Sequence, residues 1–278
     1  MEVDELQKIA RKIRKDVVKM LGKAGSGHPA GSLGVVDILV ALYFRIMSHN
    51  PRKPDWQERD RFILSNGHVC PALYAVLAHA GYFPISKLKT LRKLSSGLQG
   101  HPERVRLKGI ETTSGPLGCG LAQAAGVALA ARMDNKRFRV FCLTSDGEHD
   151  EGNHWEAVGF ANKYKLSNLT CILDRNMIQL SGPTEEIMPL EPLSEKYKAF
   201  NWNVVEIDGH DFQAIINAVE EARAYYQGPS VIIAKTVPGK GVSFMEGKWE
   251  WHGKVLNPEE LKQALKELGG LRIQSKLK

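Results

Sequence analysis

Asp146 and Asn176 are the residues of this chain best suited to hold a metal ion. Asp146-Gly147 follows the apolar run Val140–Leu143, and Asn176 follows a second apolar run, Leu169–Leu173. Short apolar runs bounded by turn residues fit buried strands. Between them, over 153–165, Trp155, Val158, Ala161, Asn162 and Lys165 step at helical spacing. Strand, helix and strand in this order predict a βαβ unit with parallel strands and a right-handed crossover. Parallel strands bring both residues to the carboxyl edge of the sheet, where open α/β sheets bind ligands. Asp146 offers a charged oxygen there and Asn176 a neutral one. Mg²⁺ takes about six hard oxygens, one or two of them from protein and the rest from phosphate and water. The pair therefore suits a Mg²⁺, or a related cation such as Ca²⁺ or Mn²⁺, that bridges to a diphosphate. An isolated Asp-Gly is also an ordinary turn.

Four histidines sit in loops of similar character. His28 lies in Ala24-Gly-Ser-Gly-His28-Pro, a loop whose glycines let backbone approach a ligand closely. His68 ends Ser65-Asn-Gly-His68, directly after the strand predicted at Arg61–Leu64. His101 lies in Gly100-His101-Pro-Glu103 and His252 in Trp251-His252-Gly253. Imidazole donates or accepts a proton near neutral pH, which suits work on hydroxyl groups. Gly115-Pro116-Leu117-Gly118-Cys-Gly120 opens a helix of very small residues, Ala122 to Ala131. A glycine-rich turn at a helix N-terminus suits a diphosphate, and the small residues also permit close packing against a sheet or a partner helix. No Gly-x-Gly-x-x-Gly fingerprint and no Walker lysine motif is present.

The elements that must hold these groups alternate. Helices are predicted over 4–22 with Gly22 as the stop, over Val35–Ile46, over Ala72–Gly81 and over a Lys-rich stretch, 84–98. Beyond the central unit come a strand at Asn203–Ile207, a helix at Phe212–Tyr226, a strand at Ser230–Thr236 and an amphipathic helix at 258–268. The basic tail from Gly269 is expected to fray. Alternation over most of the chain predicts a doubly wound α/β domain, its sheet mostly parallel and helices on both faces. Residues 1–245 form that domain, and 246–278 are a C-terminal loop, helix and tail.

Composition limits what such a domain does. A chain of 278 residues buries enough surface to fold without disulfide or metal staples. The formal charge of +7 suits anionic ligands, but no dense Lys/Arg stripe marks a nucleic-acid surface. The four cysteines make no Cys-x-x-Cys pair, and Cys142 and Cys171 fall inside strands as small hydrophobes. A reduced, cytoplasmic chain follows. The charged N-terminus is no signal peptide, and no apolar run is long enough to span a bilayer.

In order along the chain, Ser26-Gly-His28-Pro, Ser65-Asn-Gly-His68, Gly100-His101-Pro-Glu, Gly115-Pro-Leu-Gly118, Asp146-Gly147, Asp174-x-Asn176 and Trp251-His252-Gly253 resemble the motifs of transketolase. The resemblance covers nearly the whole chain and reaches only as far as the first, diphosphate-binding domain of a full-length transketolase. It implies the N-terminal subunit of a split enzyme, which uses thiamine diphosphate to pass a two-carbon ketol unit from a ketose phosphate to an aldose phosphate. By resemblance, Asp146, Asn176 and the carbonyl of Ile178 hold the cation. His68, Gly115, Pro116, Leu117, Gly147, Asn176 and His252 contact the cofactor. His28, His101 and His252 face the sugar, and Glu151 and Glu156 match a carboxylate pair between active sites. Ser145 stands where Gly is usual, Cys119 where Gln is common, and Pro238 where some relatives have a cofactor-facing Lys. The glutamate that activates the aminopyrimidine and the arginines that grip the sugar phosphate belong to the second domain. The resemblance therefore implies a partner carrying the pyrimidine-binding domain, in a heterotetramer of two copies of each chain. Half of a deoxyxylulose-phosphate synthase, the α subunit of a 2-oxo acid dehydrogenase, and a non-catalytic cofactor-binding homologue are the alternatives.

Overall fold

A computed structural model describes residues 1–269. Its centre is a sheet of five parallel strands: β1 (Arg61–Leu64), β2 (Val140–Ser145), β3 (Leu169–Arg175), β4 (Asn203–Asp208) and β5 (Ser230–Lys235), in spatial order β1-β2-β3-β5-β4. Side chains alternate between two buried faces, as the pleat requires. Phe62, Leu64, Phe141, Leu143, Ile172 and Ile232 face one core; Ile63, Val140, Cys142, Cys171, Leu173 and Ile233 face the other. The first core is closed by α1 (Val3–Ala24), α2 (Pro29–Gly34), α3 (Val36–Ala41), α4 (Cys70–Ala80) and two helices further along the chain. The second is closed by α5 (Cys119–Met133), α6 (Gly152–Lys163) and α7 (Leu193–Ala199). The two later helices of the first core are α8 (Phe212–Ala224) and α9 (Pro258–Gly269). The fold is the α/β arrangement that the alternation predicts. Cys142 and Cys171 are register partners on β2 and β3, both buried and free.

Three predicted elements come out differently. Gly22 does not stop α1; the helix runs to Ala24 and ends at Gly25, which takes the left-handed conformation at φ 65°. Gly22 instead makes room, since a Cβ there would lie 2.7 Å from Leu261 of α9. Residues 84–98 contain only a 3₁₀ turn, Ile85–Thr90, because Arg92 and Ser95 have φ values of 56° and 62°. Hydroxyls there compete with a helix for backbone groups: the Ser96 hydroxyl accepts from Leu98 N–H at 3.1 Å and pairs with Thr90 Oγ1 at 2.8 Å. The helix over Val35–Ile46 is split into α3 and a π-helical turn, Leu42–Ile46. The predicted fraying of the tail falls on residues outside those described. No described helix is long and apolar enough to cross a membrane.

A buried network ties the first core to the carboxyl edge. Arg14 of α1 grips Asp37 of α3 through two hydrogen bonds, 2.9 and 2.6 Å. Asp37 also accepts from His210 Nδ1 at 2.7 Å, and His210 Nε2 accepts from Val237 N–H at 2.8 Å. The loop after β5 is thus fixed against the loop after β4, and Gly239 N–H donates onward to Ala30 of α2 at 2.8 Å. That chain of contacts locates the short helix that follows His28.

Candidate active site

At the carboxyl edge, β2 and β3 deliver the metal-binding candidates side by side, with Ser145 and Asp174 in register. Asp146 is fully buried; its Oδ2 accepts from Met177 N–H at 2.6 Å, and its Oδ1 has no hydrogen-bond partner. Arg175 lies 3.3 Å from Oδ1 and also pairs with Glu185 and Glu191 at 2.8 Å each. Burial pushes the Asp146 carboxyl up to about 7, and the Arg175 guanidinium opposes that. Asn176 is clamped: its Nδ2 donates to Asp174 at 2.9 Å and its Oδ1 accepts from Ile178 N–H at 3.0 Å. Met177, between them, takes the left-handed conformation at φ 65°, which is uncommon for a non-glycine residue. Ile178–Gln179 then pairs with Gly182–Pro183 in a small hairpin. Pro183, opposite Ile178, has no N–H to offer the Ile178 carbonyl.

The histidine loops meet. The rings of His28 and His68 are 5.2 Å apart, those of His28 and His252 5.5 Å, and those of His68 and His252 5.1 Å. Three segments far apart in sequence therefore present one imidazole wall. His101 stands over Gly115, where a Cβ would lie 3.6 Å from its ring. Gly67 abuts Gly115 and Ser114, where a Cβ would lie 3.0 Å from Gly115 N and Ser114 Oγ, so the His68 loop and the Gly115–Leu117 loop touch. All four imidazoles are shifted toward the neutral form. Burial, followed by His252, Arg92 and His101, lowers His28 to about 4. Burial, followed by the neighbouring histidines, holds His68 well below its ordinary value. Burial lowers His101, with Arg92 adding to it, and burial lowers His252.

The comparisons with known proteins point the same way. A family model described as "Transketolase, thiamine diphosphate binding domain" matches residues 5–275. The chain belongs to the transketolase family. It is 46% identical over 264 residues to a 6-deoxy-6-sulfo-D-fructose transketolase subunit of Clostridium sp. (strain MSTE9), covering 95% of this chain and 96% of that one. It is 40% identical over 268 residues to an apulose-4-phosphate transketolase subunit of Phocaeicola vulgatus, covering 96% and 95%. Among solved structures, transketolase of Campylobacter jejuni superposes with a TM-score of 0.91 at 36% identity. The match covers 97% of this chain but only 43% of that one, so this chain spans less than half of that transketolase.

The residues at the edge fit the ligands of a transketolase. Asp146 Oδ1 is a buried carboxylate oxygen that accepts no aligned hydrogen bond, Arg175 standing 3.3 Å away, and it suits a cation ligand. Asn176 Oδ1 and the Ile178 carbonyl add two hard oxygens of the kind Mg²⁺ selects. On the other side, both polar atoms of Asn66 and Ser114 Oγ are buried without partners around the Gly67–Gly115 contact, and His28 Nδ1 is buried without a partner in the imidazole wall. Such a concentration of unsatisfied polar atoms is rare in folded proteins and suits a polar ligand such as a diphosphate. Gly147 borders Gln179, where a Cβ would meet Oε1 at 3.4 Å. Asn66 stands inside the His68 loop and Ser114 directly before Gly115, but neither carries a spacing signal of its own. Glu151 and Glu156, at the start and within α6, are exposed and lie outside these contacts.

One expected mechanism changes. Two N–H groups at the entry to α5 are already taken within the chain: Gly118 N–H donates to Glu148 at 2.8 Å and Gly120 N–H to Ser65 at 3.0 Å. A diphosphate would therefore meet the Gly115–Leu117 loop ahead of the helix rather than the helix end.

A second buried group props the Asp146 turn from behind. The Ser145 carbonyl can only accept, so His149 Nδ1 carries the proton it donates at 2.8 Å, and His149 Nε2 accepts from the Tyr197 hydroxyl at 2.9 Å. That hydroxyl has one proton, so it accepts from His154 Nε2–H at 2.7 Å. His154 Nδ1 is left buried and unpaired. Burial lowers the pKa of His154 well below the ordinary histidine value, with His149 adding to it. The unfolded chain then binds more protons than the folded one below about pH 6.5, and stability falls as pH drops through that window. Replacing His154 with Phe removes one such group together with an unpaired acceptor. The variant should match the parent at pH 7 to within about 1 kcal/mol. It should lose less on acidification, by up to about 1.4 kcal/mol per pH unit. Urea unfolding at pH 7 and pH 5 measures both; equal acid losses would remove His154 from the proton balance.

Proposed function

We propose that this chain is the diphosphate-binding subunit of a two-chain transketolase. The observation that carries the reading is the imidazole wall. His28, His68 and His252 converge within 5.5 Å of one another, ring to ring, at a sheet edge that also carries Asp146 and Asn176. The names of the relatives that match end to end, both subunits, support a second chain.

In this reading Asp146, Asn176 and the Ile178 carbonyl hold Mg²⁺, and Gly115 to Leu117, Gly147, His68 and His252 bind the diphosphate end of the cofactor. Thiamine diphosphate, when bound, supplies the carbon nucleophile that cleaves a ketose. The chain's own share is to orient that group, to exclude water and to handle hydroxyl protons. His28, His101 and His252 are held near neutral charge by burial, so each can accept a proton from a sugar hydroxyl and return it. The names of both relatives describe sugars with an anionic end, sulfonate in one and phosphate in the other. The groups that bind that end belong to the partner, a chain carrying the pyrimidine-binding domain, in a cytoplasmic assembly of two copies of each chain.

The test is reconstitution. Purified with its partner, Mg²⁺ and thiamine diphosphate, the protein should transfer a two-carbon unit from at least one ketose in a panel of phosphorylated and sulfonated sugars. Neither chain alone should do so. Robust transfer by this chain, with no partner detectable by mass analysis, would overturn the two-chain reading.

A further inference from the structure

Glu148 is buried completely, two residues beyond Asp146. Its Oε1 accepts from the Ser65 hydroxyl and from Gly118 N–H at 2.8 Å; its Oε2 accepts from Ser145 N–H at 3.3 Å. Ser65 passes the connection on by accepting from Gly120 N–H at 3.0 Å. One carboxylate thus joins the end of β1, the entry to α5 and the end of β2. These are the three loops that present His68, the Gly115–Leu117 loop and Asp146. The contacts are close: a Cβ at Gly120 would fall 2.1 Å from Ser65 Oγ and 2.6 Å from its Cα. Three donors converge on this side chain, and a carboxylate, which only accepts, is the group that satisfies all three. Glu148 also occupies the position at the start of α5 that an anionic ligand would otherwise take.

We propose that Glu148 is a positioning residue that fixes the distance between the cation site at Asp146 and the diphosphate loop at Gly115–Leu117. Cation and diphosphate then bind as a unit because Glu148 holds their two loops in one frame. Its role is indirect, through the Ser145 and Gly118 backbone, and it touches neither ligand. The inference rests on the proposed reading that this chain holds Mg²⁺ and thiamine diphosphate.

The experiment uses the assembled two-chain enzyme and titrates thiamine diphosphate at low and at saturating Mg²⁺, by calorimetry. In the parent, Mg²⁺ should tighten cofactor binding strongly. Glu148→Gln keeps one acceptor oxygen and sets an N–H₂ against a backbone N–H. It should weaken cofactor binding at saturating Mg²⁺ by about 10- to 100-fold, the range for groups that support metal ligands indirectly. It should also shrink the tightening that Mg²⁺ provides. Ser65→Ala is the second variant, since it leaves Glu148 in place and removes only the hydroxyl between Glu148 and Gly120. It should weaken cofactor binding in the same direction by a smaller factor. A purely structural Glu148 would lower the melting temperature and leave the Mg²⁺ effect on cofactor affinity as in the parent. That result in Glu148→Gln, or in Ser65→Ala should the first variant not fold, overturns the proposal. A parent enzyme with no Mg²⁺-dependent cofactor binding would instead remove the reading beneath it, and the proposal with it.

Discussion

Asp146→Asn and Asp146→Ala should both lose thiamine diphosphate affinity, by about 10²-fold or more, while the fold survives. Outer groups around a metal site cost about 10- to 100-fold when removed, and the charged ligand itself should stand at or beyond the top of that range. The two variants separate the cation ligand from the turn that holds it. Asp146→Asn keeps an oxygen to accept Met177 N–H, so the left-handed turn at Met177 persists, while an N–H₂ replaces Oδ1 and both the charge and the ligand oxygen are lost. Asp146→Ala removes that acceptor as well. The fold survives in both because Arg175, which faces Asp146 at 3.3 Å, retains Glu185 and Glu191 at 2.8 Å. No buried cation is stranded, which is the usual cause of a large stability loss at such a pair. Asn176→Ala should weaken affinity less, since it removes a neutral ligand. The measurement is cofactor titration of the assembled enzyme with Mg²⁺ present, alongside thermal melts. Parent-like affinity in both Asp146 variants would place the cation elsewhere.

What the sequence discloses about this site follows from how local each signal is. Strands β1, β2, β3 and β5 begin at the residues the sequence predicts, because both faces of a parallel sheet are buried and most of each run must be apolar. Asp146 and Asn176 are legible for the same reason, each lying just past the end of such a run. The Gly118–Gly120 entry to α5 reads in sequence as a free anion site, because what fills it arrives from Ser65 and Glu148, 55 and 30 residues away. No spacing rule links those positions. Gly22 misleads likewise: in sequence a glycine after an apolar face is a helix stop, while in space it is the notch for Leu261. The Lys-rich stretch 84–98 departs from a helix for a local reason. Its hydroxyls supply alternative hydrogen bonds, and Arg92 and Ser95 take left-handed conformations that end any helix. The wall of His28, His68 and His252 is foreshadowed only by the order of its motifs. Nothing in any one loop shows that three loops from residues 28, 68 and 252 close onto one another.

That wall carries the other large expectation. His28→Ala and His101→Ala should each slow turnover of the assembled enzyme by about 10²-fold or more, the usual share of a proton-handling group. His252→Ala should slow turnover similarly and also weaken cofactor binding. The difference follows from the roles proposed for the three rings. His252, 5.1 Å from His68 ring to ring, serves both cofactor and sugar, whereas His28 and His101 serve the sugar alone. His28 is a more delicate case, since its ring packs against both His68 and His252. Its loss opens the wall without removing a diphosphate contact, so cofactor affinity should fall least in His28→Ala and His101→Ala. The pH profile adds a second readout. His28 is lowered to about 4 by burial and its neighbours, so it stays unprotonated as pH falls to roughly that value. A loss of turnover on the acid side of neutrality must then come from another group. The acid limb of the parent profile should therefore remain in His28→Asn, which restores polarity at the site without an ionisable ring. Turnover at parental rates in both His28→Ala and His101→Ala would mean that these loops serve the fold and leave the sugar's protons to the partner chain.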